Sequence, residues 1–510
     1  MVRTHRGISN GSAAGVVAGG ALLLSLQSGP SAAEPPAAGM PGSAVGSSVG
    51  GMQGPRYIPN SFFATTTHFN TDLLVELLGD LNLRTVRLDF AHDLLEPAAG
   101  RYAFGADNRV IQSANLGVSH GLDQLALISH PAAWLKVAGS GDMFPNDESV
   151  AAFEEFVYQI ASKYKGQIRY WQAGNEPYIP AWKERYVILL KALARAVKRA
   201  DPANQVVLCG FSGTPYRDPS RDPEYLDLVY QYGGKDSFDI IASHPYTWPL
   251  LLEEGRCLDT ITRLHEVMVK HGDSKPLWIT EIGWSGVEPA MLGQLQTRFW
   301  HRHRSRSEED QARALARLYL VLATIPWVER VYFFHLQQEA KYTDTLENPD
   351  FYMGLFTPWI GDRIRPKDAY FAVKTVIQMI GESAYQERLA LAPDLWALVF
   401  TRGDEATVAL WSVGADVVLK LGDTAMVKSV TSMVGSPVLI SAEELPAAEL
   451  RDANGGLIVR EDRPLDWDGP NTLRLSGRPL YLKMSLPDLD RFKAQIRDAQ
   501  PLATPRRGGG

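Results

Sequence analysis

Cysteine is nearly missing from this chain. Cys209 and Cys257 are the only two in 510 residues, so the molecule is no disulfide scaffold and must be held by buried apolar surface. A surplus of positive charge is missing too. Lys and Arg number 51 against 58 Asp and Glu, a formal net charge of −7 that leaves no electrostatic footprint for nucleic acid. No glycine-rich phosphate loop is present. His265-Glu266 opens like a zinc-protease helix, but Val269 stands where the second histidine ligand is needed. Gly210-Phe211-Ser212-Gly213 starts like a nucleophile elbow and continues with Thr214 in place of the closing glycine.

Long apolar runs are equally scarce. The one near the start, residues 13–26, follows Arg3 and Arg6 and precedes the small residues Ser31-Ala32-Ala33. It falls short of the ~20 residues of a membrane span, and the three parts in this order predict a secretory signal peptide over 1–33. An uncleaved anchor is the competing reading. Gly, Pro, Ala and Ser dominate 34–56, a flexible leader. Secretion would permit a bridge between the two cysteines, but Cys209 lies in the apolar run 205–211, where a small core residue is the simpler reading.

What the chain does have is a repeated unit. From 57 to 385 short apolar runs alternate with longer amphipathic stretches. Strands are predicted at 61–67, 84–90, 123–129, 168–175, 205–211, 238–244, 276–282 and 329–335, with helices such as 148–164, 183–200 and 259–271 between them. Eight such units predict an α/β fold, a (β/α)8 TIM barrel, with a doubly wound open sheet as the alternative. From 386 to 487 the runs shorten and are separated by Gly, Asp and Pro turns, which predicts a C-terminal antiparallel β-sandwich-like domain. Its expected role is packing against the barrel, with sugar binding as the alternative. Residues 488–510 read as a helical end and a disordered tail. The basic run Arg302-His303-Arg304-Ser305-Arg306 reads as a solvated loop ahead of a helix that Ser307-Glu308-Glu309-Asp310 caps.

Two glutamates end strand runs. Glu176 closes the fourth in Trp171-Gln172-Ala173-Gly174-Asn175-Glu176-Pro177, and Glu281 the seventh in Leu277-Trp278-Ile279-Thr280-Glu281. Alone, each is as readily a solvated cap or half of a salt bridge. Together they fall at the C-terminal strand ends, where barrels of this kind build their sites. Two carboxylates held close are what glycosidic bond cleavage needs, one to protonate the leaving oxygen and one to attack or stabilise the sugar cation. Strand alternation then places Trp171 and Trp278 on the helix-facing side, as core. Trp134, Trp248 and Trp284 follow strands three, six and seven and are candidate stacking platforms or loop packers. Asp89 and His92, around the end of strand two, are candidate polar contacts to sugar.

These motifs resemble a known family. Asn175-Glu176-Pro177 and Thr280-Glu281-Ile282-Gly283-Trp284 are similar to the acid/base and nucleophile motifs of the clan A retaining glycoside hydrolases. Ser243-His244-Pro245-Tyr246 narrows the resemblance to family 39, nearest its bacterial exopolysaccharide branch, alongside the β-xylosidases. Arg87 and the stretch Arg365-Pro366-Lys367-Asp368-Ala369-Tyr370 also fit, whereas Phe334-His335-Leu336 departs from the tryptophan many members carry at strand eight. The resemblance covers 57–385. It implies that Glu176 is the acid/base and Glu281 the nucleophile, with carboxyl groups ~5–5.5 Å apart rather than the inverting ~6.5–9.5 Å. It further implies that Asn175 donates to a sugar 2-hydroxyl and that Arg87 and Tyr246 hold Glu281 ionised. His244 is either a hydroxyl contact or a structural imidazole. No metal or organic cofactor is expected. The partner is a poly- or oligosaccharide, with no nucleic acid and no membrane beyond the signal peptide. The loop from 285 to 306 suggests a groove and endo action. The alternatives are a non-catalytic carbohydrate-binding barrel and a transglycosidase.

Overall fold

The computed structural model describes residues 55–67, 71–129, 132–135, 147–177, 179–212, 221–246, 252–254, 256–287, 305–337, 352–357, 365–421, 423–438, 472–498 and 502–503. The signal-peptide and leader expectations, residues 1–54, lie outside them. Among the described residues no helix is long and apolar enough to cross a membrane.

Among the described residues, eight strands of one sheet alternate with eight main helices. They run β1 (Phe63–Thr67), α1 (Asp72–Asp80), β2 (Thr85–Ala91), α2 (Arg109–Ser119), β3 (Asp123–Ser129), α3 (Asp147–Lys163), β4 (Tyr170–Ala173) and α4 (Ile179–Ala200). The second half is β5 (Gln205–Val207), α5 (Arg221–Gln231), β6 (Ile241–Ser243), α6 (Arg256–Lys270), β7 (Leu277–Ile282), α7 (Glu308–Leu322), β8 (Val328–Phe333) and α8 (Asp368–Ile380). Neighbouring strands pair in parallel from β1 through β5, while β8 pairs with both β1 and β7, and β7 with β6. The seam between β5 and β6 has no continuous ladder. It is bridged at Val207–Ile240 and Phe211–Ser243, with the Leu208 N–H donating to the Ile240 carbonyl at 2.9 Å. The sheet is a (β/α)8 barrel, nearly closed.

Each strand buries both faces, which is why it reads as a nearly unbroken apolar run. On β2, Val86, Leu88 and Phe90 join the layer under the helices. Arg87, between them, faces inward to β4 and β7. Helix starts follow local chemistry: the Asn108 side chain accepts the Val110 N–H at 2.9 Å to open α2, and the Ser307 hydroxyl accepts the Asp310 N–H at 3.0 Å to open α7.

The lower lumen is filled by Ala64, Leu125, Val207, Ile240, Ala242, Trp278 and Tyr332. Trp278 is therefore core, but inside the barrel and not on its helix-facing side. The register explains the correction. Between Ile279 and Ile282, β7 holds one residue more than the matching stretch of β8, an irregularity that breaks alternation and lets both Thr280 and Glu281 face inward. Trp171 does lie under the helices, edge-on to Phe90.

Among the other described residues, Ser285–Val287 and Ser305–Ser307 pair in parallel as a small sheet of their own, and the remaining strands form two antiparallel sheets. Their main strands are β9 (Ser383–Arg388), β10 (Leu395–Arg402), β11 (Glu405–Ser412), β12 (Val417–Lys420), β13 (Ser429–Thr431), β14 (Thr472–Leu475) and β15 (Leu480–Ser485), followed by α9 (Leu486–Asp498). In the larger sheet the order is β9, β10, β11, β15, β13, and its β9 edge is extended by Arg56–Ile58 from ahead of the barrel. The Arg56 guanidinium donates to the Leu322 and Ala323 carbonyls at 3.0 and 2.9 Å, at the end of α7, and also reaches those of Ile325 and Val328. Leu502–Ala503 pairs with β12, so part of the tail expected to be disordered returns to the smaller sheet. Cys209 and Cys257 are both buried and unbridged.

Candidate active site

At the end of β4 the chain leaves the sheet in two steps. Gly174 adopts a φ of +85°, and Glu176 one of +44°. The left-handed region is uncommon for a non-glycine residue, more so directly before a proline, and costs about 1–3 kcal/mol. The turn is held by β5: Asn175 bridges to Gly210, whose carbonyl accepts the Glu176 N–H at 3.2 Å. This geometry sends the two side chains apart, Asn175 toward β2 and Glu176 toward β6.

Arg87 is 2% exposed and connects three strands. Its Nε donates to Gln172 Oε1 at 2.7 Å, Nη1 to Glu281 Oε1 at 2.5 Å, and Nη2 to Asn175 Oδ1 at 2.6 Å. The other Glu281 oxygen accepts the Tyr246 hydroxyl at 3.2 Å. His244 is fully buried, with Nδ1 2.8 Å from Glu176 Oε1, Nε2 3.0 Å from the Thr280 hydroxyl, and Nδ1 3.7 Å from Glu281 Oε2. Gly210 makes room for that ring, since a Cβ there would stand 1.8 Å from His244 Nε2. The two carboxylates thus meet across one imidazole. An oxygen of each lies within 4.8 Å of the other, well short of the inverting ~6.5–9.5 Å.

Their environments differ. The Glu176 side chain is 35% exposed and that of Glu281 10%. Burial alone would push the Glu281 carboxyl up, but His244, the Arg87 guanidinium and the hydrogen bonds from Arg87 and Tyr246 outweigh it, leaving the carboxyl below its ordinary value. Glu281 is built to stay ionised. Glu176, His244 and Glu281 also offer three ligand atoms in a cluster. However, the charge a cation would need on Glu281 is already matched by Arg87.

The remaining sequence candidates divide. Asp89 accepts the Ser129 hydroxyl at the barrel mouth. Trp134 is half-buried, its indole N–H donating to the Glu96 carbonyl at 3.0 Å. Trp284 is 1% exposed and packed into the core, so it presents no stacking face. His92 is likewise no sugar contact. It is fully buried, stacked on Phe156 at 3.9 Å and 2.8 Å from Glu96, and burial lowers it to about 4. Trp248 and residues 288–304 of the long loop lie outside the described residues. At strand eight the Phe334–His335 peptide is cis, and His335 is buried. Lys367, from the stretch before α8, is buried and donates to the Gly286 and Tyr352 carbonyls at 2.8 Å each.

Three members of the site escaped the sequence. Gln172 accepts from Arg87 and donates to Thr280 Oγ1 and the Leu208 carbonyl at 3.1 and 3.0 Å, which fixes its amide orientation. Its signal was a lone polar residue inside an apolar strand run. Thr280 and Gly210 gave no comparable signal, because what matters is their approach to His244 from other strands.

No protein-family model matches the chain, and no curated protein matches it. Among solved structures it is similar to a family 39 glycoside hydrolase from Bacteroides cellulosilyticus WH2, with 20% identity and a TM-score of 0.62 over 84% of this chain and 81% of that one. A family 30 endoxylanase from Clostridium papyrosolvens C71 shares 11% identity, TM-score 0.52, over 85% and 98% of the two chains. A family 51 α-L-arabinofuranosidase from Bifidobacterium longum shares 12%, TM-score 0.51, over 84% and 97%. At these identities the likeness establishes the shared barrel fold.

Proposed function

We propose that this chain is a secreted retaining glycoside hydrolase acting on a poly- or oligosaccharide. The observation that carries the reading is the pair itself: Glu176 and Glu281 within 4.8 Å, with Glu281 kept ionised by Arg87 and Tyr246. Glu281 attacks the anomeric carbon as Glu176 protonates the leaving oxygen. The covalent glycosyl intermediate is then released by water, with Glu176 taking the proton. His244, shared between the two carboxylates, orients Glu176 and is positioned to relay the change in its charge. Asn175 is exposed and its side-chain oxygen accepts from Arg87, which leaves its amide nitrogen as the group to meet a sugar hydroxyl. The fold likeness to family 39, 30 and 51 enzymes supports the same reading.

Substrate choice is tested by incubating purified protein with aryl glycosides and exopolysaccharides and sizing the products. A ladder of oligosaccharides is expected for endo action, and monosaccharide alone would overturn it. Glu176→Gln and Glu281→Gln are each expected to lower kcat at least a thousandfold, on the order of losing a whole catalytic group, with the circular dichroism spectrum unchanged. NMR of the first-formed sugar should show retained configuration. Full activity in either variant, or an inverted product, would sink the proposal.

A further inference from the structure

Glu253 lies in the short helix Leu252–Glu254, on the connection from β6 to α6 whose other end carries His244 and Tyr246. Its side chain is 2% exposed. Oε1 accepts from Arg317 Nε, on α7, at 2.5 Å and from the Trp411 indole N–H, on β11, at 3.0 Å. Oε2 is buried with no partner among the described residues. Arg317, also 2% exposed, lies under Gly477 of the antiparallel domain, where a Cβ would stand 3.5 Å from its Nη1. The next residue, Arg478, pairs with Glu309 of α7 at 2.7 Å.

Stability alone is a poor reason for this arrangement. A buried ion pair is commonly matched or bettered by apolar residues of the same volume, and a carboxylate oxygen left without a partner makes the comparison worse. What a carboxylate shared by a guanidinium and an indole N–H supplies is direction. Both donors can be satisfied in one placement of Leu252–Glu254, whereas an apolar contact tolerates sliding. At the other end of that connection, register matters most: Tyr246 bonds Glu281, and His244 bonds Glu176 and Thr280. β6 is held by a ladder on its β7 side alone, and toward β5 it has only isolated bridges.

We propose that Glu253 is a positioning residue through which Trp411 of the antiparallel sheet and Arg317 of α7 anchor Leu252–Glu254, and with it the placement of Tyr246 and His244 against the two carboxylates. The antiparallel domain is then part of the scaffold of the site. The kinetic half of this proposal rests on the glycosidase reading, and the structural half does not.

The test uses the full chain and the variants Trp411→Phe, Glu253→Gln and Tyr246→Phe. Amide hydrogen exchange, which needs no activity, comes first. Trp411→Phe and Glu253→Gln are expected to speed exchange in residues 241–246 roughly tenfold while 85–91 and 123–129 keep wild-type protection, as local opening requires. Unchanged protection at 241–246, or an equal loss in all three segments, would overturn the proposal. Kinetics on an aryl glycoside follow. Trp411→Phe should lower kcat without raising KM and move the acid limb of the pH profile upward, the change also expected of Tyr246→Phe, which removes a hydrogen bond to Glu281. The double variant should be no worse than the more severe single one, because both act through Glu281. Additive losses would overturn it. Should the wild type cleave no glycoside, the glycosidase reading fails, and the exchange result still decides whether Glu253 positions the segment.

Discussion

Arg87 donates to a strand-four amide, to the Asn175 carbonyl oxygen and to the Glu281 carboxylate at once, from a position that solvent barely reaches. Together with His244 and Tyr246 it offsets the burial of the Glu281 carboxyl and lowers it, by its charge and by its hydrogen bond. The carboxyl sits below the ordinary glutamate value in the folded protein, so its contribution to stability is complete above pH ~4.3 and is lost as the pH falls through the folded value. Arg87→Met removes the charge while keeping much of the volume. Losing one charge-assisted partner costs about 2 kcal/mol, or roughly thirtyfold in the relevant equilibrium. The acid limb of kcat/KM should therefore move up by about one unit or more, with kcat/KM at neutral pH reduced. An unmoved limb would mean that His244 and Tyr246 hold the charge without it.

Among the elements, the weakest link of the barrel is its β5–β6 seam. Both strands are three residues long and are joined by isolated bridges, whereas β2 and β3 match over seven residues each. Native-state exchange should accordingly be fastest, among the eight barrel strands, in 205–207 and 241–243 and slowest in 85–91 and 123–129. Uniform protection around the barrel would contradict this. The eight strands were legible in the sequence because parallel strands buried on both faces leave continuous apolar runs, and Asp123–Ser129 was read to the residue. Glu176, Glu281 and the Glu281 donors Arg87 and Tyr246 were legible as motifs. The side on which Trp278 falls was not, because the extra residue in β7 changes facing without changing the run. Gln172, Thr280 and Gly210 were hidden for a related reason: contacts between strands far apart in sequence decide their roles.

At the scale of the whole molecule, the barrel and the larger antiparallel sheet are interlocked. Arg56–Ile58, which precedes the barrel, completes the edge of the sheet that follows it, and Arg56 caps the end of α7. Calorimetry should therefore show one cooperative transition rather than two. Arg56→Ala, which strips donors from four carbonyls, should lower stability by about 2–3 kcal/mol while leaving the transition single. Two resolved transitions in the wild type would show the halves to be independent. The pairing of Ile58 with Ser383 has a consequence for how the protein comes into being. A ribosome releases the first strand early and its partner more than three hundred residues later. Until then the segment Arg56–Ile58 has no sheet to join and is held through Arg56 at the end of α7. The chain can gather its barrel as it emerges, but Arg56–Ile58 finds its strand partner only when Ser383–Tyr385 arrives, so a nascent chain, or one truncated before it, is left with an unsealed edge.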